Sequence, residues 1–498
     1  MTDPCQQPTA MAAQTPSIRI SLYEERPPNP SAEFVLYWMP AFHRVEWNFS
    51  LQRSVEWAME LGKPLVIVED LRCDRRWDSD RSHLFALQGM ASNARKLARK
   101  PVRYYPFVER EPGEAEKLLE ALAQHASVIV TDEYPLNETR AAVRSLASKV
   151  KVRLELVDSN GLLPLRAARR VFATAFSFRR FLQKELPHHL VDFPRPDPLA
   201  GASLRVMGQL PKRITRNWPA VDAAAAANDA DFLRRIPINH QVLPVNIAGG
   251  SDAALAALDR FLTEQLAAYP ERRDHPDDDA TSRLSPYLRA GHISVHQVFS
   301  ELARREGWDV GRLSPFASGS RVGWWGMSPA AEAWLDQLVT WREIGYNMCF
   351  ESTDYNIYES LPGWSRATLD RHSGDRRDYL YDRQELELSR THDDLWNAAQ
   401  NQLVREGRIH NYMRMLWGKK ILVWSHHPRE ALETMIDLNN KYALDGCDPN
   451  SYTGIFWCLG RYDRPWGPER SIFGTVRPMT TESATRRLRL KNYLRRYS

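Results

Sequence analysis

Asn411, Arg414, Trp417 and Trp424 follow one another at spacings of three, three and seven residues. On a helix that spacing puts them along one face. An amide, a guanidinium and two indoles in a row can hold a planar polar ring system, with the indoles leading away from it at about 10 Å per two turns. The same stripe also reads as an amphipathic helix with tryptophan as core filler, and spacing alone does not separate the two. The surrounding stretch, residues 391–424, reads as two helices with a tight joint. Thr391 is in position to cap the first, with Asp394 three residues later as in a capping box. Gly407 marks its end, and the second runs from about residue 409 until His427-Pro428 stops it.

Large elements must position such a face. The chain has 498 residues, enough for two or three domains with sizeable cores. Its 43% hydrophobic and 26% charged residues are ordinary for a globular protein, but sixteen tryptophans are not. A net charge of +5 is too small to name a partner by itself, and arginine supplies most of the basic residues. Five cysteines (Cys5, Cys73, Cys349, Cys447, Cys458) show no CxxC pair and no histidine at metal-ligand spacing. They read as reduced thiols in a cytoplasmic protein without a metal site. The polar N-terminus lacks an apolar signal region, and no apolar run reaches the length of about eighteen residues that a membrane span needs.

Residues 1–33, rich in Pro, Gln and Thr, read as a loose lead-in. Short apolar runs at 34–39, 64–69, 102–107, 127–131 and 152–157 then alternate with helical patterns at 48–61, 82–97, 114–125 and 138–148. That alternation predicts a Rossmann-like α/β domain over 34–160, a parallel sheet covered on both faces. No GxGxxG follows the first strand, so a dinucleotide site of that kind is not supported. Residues 161–250 read as a connector. Its cluster Arg169, Arg170, Arg179 and Arg180 reads equally as a solvated helix face or as a phosphate-facing one. From 251 to 498 the pattern is helical, with a 3.6-residue period at 253–268, 294–305, 330–347, 392–405, 410–424 and 429–440.

An α/β domain, a connector and a tryptophan-rich all-α domain resemble the photolyase and cryptochrome superfamily. Leu284-Ser-Pro-Tyr-Leu288, Asp394-Leu-Trp-Asn-Ala-Ala-Gln400, Met413-Arg-Met-Leu-Trp-Gly-Lys-Lys-Ile-Leu422, Leu438-Asn-Asn-Lys-Tyr442, Leu444-Asp-Gly-Cys-Asp-Pro-Asn450 and the tail from Trp466 to Gly474 resemble class II cyclobutane pyrimidine dimer photolyases. Tyr37-Trp-Met39 with His43-Arg44 and Trp47-Asn48 matches that family's first strand and loop, so the similarity runs from about residue 33 to the end.

The resemblance implies a non-covalent FAD in the helical domain. Tyr269, Ser282, Leu284 and Ser285 match the segment that cradles its phosphates, where hydroxyls and amides ahead of a helix suit an anion. Arg414 and Asp445 match an ion pair beside the flavin ring. Asn439 matches the amide beside flavin N5, and Asn411, where the class usually has Gly, is a further candidate contact. Trp417, Trp396 and Trp424 match the tryptophans of the photoreduction route, with core packing as the plain alternative. Trp341 and Trp457 match aromatic walls for a dimer flipped out of UV-damaged DNA. Arg464, Arg477 and the basic tail from Arg486 to Arg496 would face phosphates, with a merely solvated tail as the equal alternative for the tail arginines. The implied reaction is light-driven electron transfer from reduced FAD to the dimer, ring splitting and return of the electron, by a cytoplasmic monomer. A second chromophore, 8-hydroxy-5-deazaflavin or a pterin, belongs to some members of the superfamily, and no residue pattern here decides for or against one.

The sequence also departs from the family. Gln337 stands where the family has the carboxylate that contacts the dimer. His296-Gln297 replaces its Gln-Arg, Arg289-Ala-Gly291 replaces its His-Phe-Gly, and Leu416 and Pro478 replace two tyrosines. These changes are expected to cluster around the lesion pocket. Three readings follow: dimer repair with an altered pocket, a cryptochrome-like light sensor that has lost repair, or a flavin photoenzyme with another substrate. Gln337 with Gln297 points toward the sensor; Trp341, Trp457 and the basic tail point toward repair.

Overall fold

The computed structural model describes residues 14–498; Cys5 and the first part of the expected lead-in lie outside the described residues. Six strands form one sheet: β1 (Ile20–Leu22), β2 (Phe34–Trp38), β3 (Leu65–Leu71), β4 (Arg103–Val108), β5 (Ala126–Asp132) and β6 (Arg153–Val157), in the order β1-β6-β5-β2-β3-β4. Strands β2 to β6 run parallel, as the alternation with helices predicts. β1 is the difference. It lies inside the stretch expected to be loose, yet it joins the edge antiparallel, with Ile20 opposite Val157 and Leu22 opposite Glu155. Three half-buried residues carry too little alternation to announce a strand, and it is the pairing with β6 that holds them.

Both faces of the sheet are buried, which explains why its strands read as continuous apolar runs. Val35, Tyr37 and Met39 point toward helix α1 (Phe49–Leu61) and the end of α2 (Asp80–Leu97). Phe34, Leu36 and Trp38 point the other way, onto α3 (Glu114–Ala123) and α4 (Asn137–Lys149). α1 starts where the Asn48 side chain accepts the Ser50 and Leu51 N–H groups, and it ends at Gly62 with a positive φ of 63°.

Residues 161–250 carry four short helices, including Ala175–Glu185 and Ala223–Asn228. From residue 251 the elements are helical. Two expected helices contain π-helical turns: Phe261–Gln265 follows Ser251–Arg260, and Asp336–Trp341 separates Pro329–Leu335 from Arg342–Glu351. The two-helix stretch forms as Asp394–Glu406 and Asn411–Trp424, with Gly407 at a φ of 66° between them. Its cap is not Thr391. The Asp393 side chain accepts the Trp396 N–H at 3.0 Å, and Thr391 bonds Asn397 instead.

Helix Asn411–Trp424 crosses Pro428–Tyr442 and Pro449–Cys458 closely because Gly418 lies at the crossing. A Cβ there would meet Cys458 Sγ at 2.6 Å and Met435 Sδ at 2.9 Å. The helical part locks onto the sheet through buried donors. Arg81 reaches the Val404 and Tyr442 carbonyls at 2.7 and 2.5 Å. The Glu343 carboxylate accepts the Leu162 and Leu163 N–H groups at 2.8 and 3.0 Å. Among the described residues no helix is long and apolar enough to cross a membrane.

Candidate active site

The helical part encloses a cavity of about 1360 Å³, above the range of roughly 300–1,000 Å³ usual for small-molecule sites. Its walls hold many more arginines than carboxylates, the latter being Glu406, Asp445 and Asp463. Such a chamber favours an anionic occupant. Twelve of the sixteen residues singled out from sequence line it: Tyr269, Ser282, Leu284, Ser285, Gln337, Trp341, Asn411, Arg414, Asp445, Trp457, Arg464 and Arg477.

Arg414 Nη2 donates to Asp445 Oδ1 at 2.8 Å, with both side chains largely buried. Arg414 Nε is buried and has no partner, so this guanidinium is only partly satisfied without an occupant. Asn411 lies one turn earlier on the same helix. Next to it His410 carries two ring nitrogens without partners, and burial lowers its pKa to about 4, which keeps the imidazole neutral. On the loop before Ser285, Asp279 accepts from Arg408 at 2.7 and 3.0 Å and pairs with Arg283. Burial opposes its charge, but these two guanidinium groups hold the carboxyl below its ordinary pKa. That clamp fixes the segment carrying Ser282, Leu284 and Ser285, which leads into the helix Ser285–Arg289.

Gln337 and Trp341 share the π-helical turn Asp336–Trp341, a local irregularity of the kind found at functional sites. Trp457, in the same cavity wall, lies in the last turn of the helix Pro449–Cys458. The ammonium of Lys419 sits 5.0 Å from the Trp457 ring centre, buried and without a hydrogen-bond partner. Arg464 and Arg477 flank Trp466 at 4.8 and 4.7 Å.

The four remaining residues lie behind the wall. Asn439 donates to Ser451 Oγ at 2.7 Å and to Asn440 Oδ1 at 3.2 Å, and its own Oδ1 is buried without a partner. Trp417, Trp396 and Trp424 are 1%, 0% and 2% exposed. Trp417 Nε1 donates to Gln400 Oε1 at 2.8 Å, and Trp396 Nε1 donates to the Trp417 carbonyl at 3.0 Å. The Trp396 and Trp424 ring centres are 5.5 Å apart, edge to face. Trp396 thus touches the Trp424 ring and the Trp417 backbone, and Trp417 lies one turn beyond Arg414.

Arg179 was named from sequence only as one of a cluster of four arginines with two open readings. It lines the cavity from the stretch 161–250, its Nε donates to Asp336 Oδ1 at 2.7 Å, and its Nη2 has no partner. Of the two readings of the cluster Arg169, Arg170, Arg179 and Arg180, a solvated face fails for this member, which is 6% exposed. Arg342, also in the wall, donates to the Asn160 carbonyl at 2.9 Å and covers the Tyr346 ring.

The expected clustering of departures is corrected. Only Gln337 among them lines the cavity. His296 is buried between the Phe49 and Phe193 rings, at the joint with the sheet. Arg289 donates to the Gly446 carbonyl at 3.0 Å and borders a separate space of about 120 Å³. Leu416 is core, and neither Gln297 nor Pro478 is in the cavity wall. The family motifs that contain these positions span several elements, and adjacent positions on a helix face different ways.

A parallel sheet followed by helices that enclose a deep, arginine-lined, tryptophan-walled cavity defines a two-domain architecture with a large buried ligand site. Solved structures share the fold: a class III photolyase from Agrobacterium tumefaciens (TM-score 0.64, 18% identity, covering 94% of this chain and 86% of that one) and a Synechocystis cryptochrome (TM-score 0.63, 14% identity, 95% and 89%). No family model matches the chain. Curated relatives match nearly end to end. A deoxyribodipyrimidine photo-lyase of Methanothermobacter thermautotrophicus is 31% identical over 470 residues, covering 94% of this chain and 95% of its own. One from Oryza sativa subsp. japonica is 31% identical over 475 residues, covering 92% and 86%. The chain belongs to the photolyase and cryptochrome family.

Proposed function

We propose that the chain is a class II-type deoxyribodipyrimidine photolyase that splits cyclobutane pyrimidine dimers in UV-damaged DNA. The observation that carries this reading is one cavity lined by two unlike sets of residues. Arg414, Asp445, Asn411 and the Ser282–Ser285 segment offer a charge-balanced cradle with an unpaired guanidinium nitrogen. Trp341, Trp457 and Gln337 offer aromatic walls and one neutral amide, with Arg464 and Arg477 in the same wall. The first set suits FAD, whose phosphates and ring nitrogens match the unpaired Arg414 Nε and the excess of arginines. Bound, reduced and excited by light, FAD supplies a low-potential electron.

The chain's own residues do the rest. The two indoles take the flipped dimer between apolar faces, at an unstacking cost that is lower for damaged bases. Gln337 donates an amide hydrogen to a pyrimidine carbonyl, which orients the dimer without adding charge. Arg464 and Arg477 hold phosphates without reading sequence. Asn439 holds its unpaired oxygen behind the cavity wall. Trp417, Trp396 and Trp424 form a conduit by which electrons enter from outside. Class II is supported by the motifs in Asp394–Gln400, Met413–Leu422 and Leu444–Asn450.

Purified protein with reduced FAD, incubated with a thymine-dimer oligonucleotide, tests the reading. Loss of the dimer in light but not in darkness is expected. Persistence of the dimer under light, with the flavin still photoreducing, would sink repair in favour of a light sensor.

A further inference from the structure

The three-indole conduit ends at Trp424, which is 2% exposed, so a reductant in solution has no direct contact with it. An aromatic path continues outward. Tyr381 and His392 both meet the Trp424 indole at steep angles, ring centres 5.3 and 5.5 Å away. Tyr379, 50% exposed, stacks on His392 at 3.7 Å. Tyr381 is fixed by its surroundings. Its backbone N–H donates to the Trp424 carbonyl at 3.3 Å. Its phenol oxygen accepts the His392 backbone N–H at 3.0 Å and lies 2.6 Å from His392 Nδ1. Because that oxygen already accepts one hydrogen bond, its own proton points at Nδ1 in the tautomer with the ring proton on Nε2.

We infer that Tyr381 and His392 are the outer terminus of the electron path, a phenol that gives its electron to Trp424 and its proton to His392. The inference rests on the photoreduction role proposed for the three indoles. When an electron has moved inward, Trp424 is left as an indole cation radical. It takes one electron from Tyr381, the phenolic O–H bond breaks, and the proton passes to Nδ1. The products are a neutral indole, a neutral phenoxyl and an imidazolium. A one-electron reductant of the thiol class in solution then reduces the phenoxyl, and the proton returns from His392.

Three features favour this direction. Losing the electron alone would leave a strongly acidic phenol cation, whereas an acceptor within hydrogen-bond reach lets the proton leave in the same step. The Lys420 ammonium lies 5.4 Å from the Trp424 ring centre and raises the energy of a positive indole, tempered by its 3.0 Å pair with Asp393; a neutral phenoxyl does not carry that penalty. The stacked face of Tyr379 stabilises an imidazolium by a cation–π contact.

Flash photolysis of the full chain loaded with oxidised FAD, without DNA or reductant, reads each step. The expected result is a flavin bleach, an indole radical, and then a neutral tyrosyl radical visible by absorption and electron paramagnetic resonance, forming more slowly in D2O. Tyr381→Phe, which keeps the ring, should bleach the flavin yet lose the tyrosyl signal. His392→Gln should lower the tyrosyl yield and abolish the D2O effect, and Tyr379→Phe should keep the radical. Trp417→Phe should retain FAD and show no bleach. A bleach in the unaltered protein without any tyrosyl radical overturns this inference alone, as does a tyrosyl signal that survives Tyr381→Phe. No bleach in the unaltered protein overturns the conduit itself, and the terminus with it.

Discussion

At the carboxyl ends of β2 and β5 the strand order reverses, the place where an open α/β sheet ordinarily offers its binding crevice. Here that place holds only a void of about 10 Å³ lined by Arg44, Tyr134, Asn160 and Arg342 and a space of about 120 Å³ lined by Ala41, Glu69 and Tyr134. Asp132 accepts Tyr37 Oη at 2.8 Å through one oxygen and the Ala41 and Phe42 N–H groups at 3.0 and 2.8 Å through the other. Arg44 reaches the Ser159 and Gly291 carbonyls at 3.1 and 3.2 Å. The helical cavity is about 1360 Å³ and leaves Arg414 Nε, Arg179 Nη2 and both His410 nitrogens without partners. Both regions bury charge, but only one leaves it unfinished. In this molecule the sheet's crevice is mostly a joint between two layers, and the large cavity lies among the helices.

Removing a charge should therefore act differently in the two regions. The largest effect is expected for Arg414→Leu, which leaves Asp445 unpaired in the cavity. Losing one partner of a buried pair costs about 3–5 kcal/mol, so FAD should be lost on gel filtration, read as the flavin-to-protein absorbance ratio. Full retention of flavin would mean that the unpaired guanidinium is not a cofactor contact.

Next comes Lys419, the unpartnered ammonium behind Trp457. Burial lowers its pKa to about 8 from the ordinary 10.5. A depressed folded-state pKa means that the unfolded chain binds more protons between those values, so stability rises with pH across that window. Lys419→Met should lack the rise. Below pH 8 it should be more stable than the unaltered protein by about 3 kcal/mol, because each pH step of one between the two values is worth about 1.4 kcal/mol. Parallel stability–pH curves for the two proteins would show that the ammonium is solvated or paired when FAD is present.

Asp132→Asn probes the closed crevice. An amide cannot accept all three donors that converge there, and one buried donor left unsatisfied costs about 1–3 kcal/mol. Thermal stability should fall by that amount while the flavin-to-protein ratio of the folded protein stays unchanged. A loss of flavin in step with stability would erase the distinction between the two regions.

Much of this was legible from residue types. The parallel sheet showed because five apolar runs of strand length alternate with amphipathic helices, and the cavity residues showed because whole motifs matched a family. What stayed hidden depends on distance across the fold. β1 is three residues long and takes its conformation from β6, more than a hundred positions away. Arg179 belongs to a stretch with no motif, and its role becomes visible only when Asp336 is brought beside it. The π-helical turn under Gln337 leaves the apolar period nearly intact, so the sequence reads as one unbroken helix. The departures at residues 289, 296–297, 416 and 478 were assigned to the pocket through the family resemblance. The fold disperses them, and of the pair Gln337 and Gln297 that points toward a sensor only Gln337 lines the cavity.

The smallest effect is expected at the rim. Arg477 stands at the cavity mouth against the Trp466 face, where solvent screens it. Releasing one phosphate at such a place leaves sequence preference unchanged and lowers the salt dependence of duplex binding by about one in slope. Arg477→Ala should therefore weaken binding of damaged and undamaged DNA by the same factor. Arg464→Ala, also beside Trp466, should do the same, and the two should add if each holds its own phosphate. If Arg477→Ala instead discriminates against the dimer and leaves the salt slope alone, the residue belongs with Trp341, Trp457 and Gln337 as a lesion contact. The boundary between the binding chamber and its solvated approach would then lie further out than Trp466.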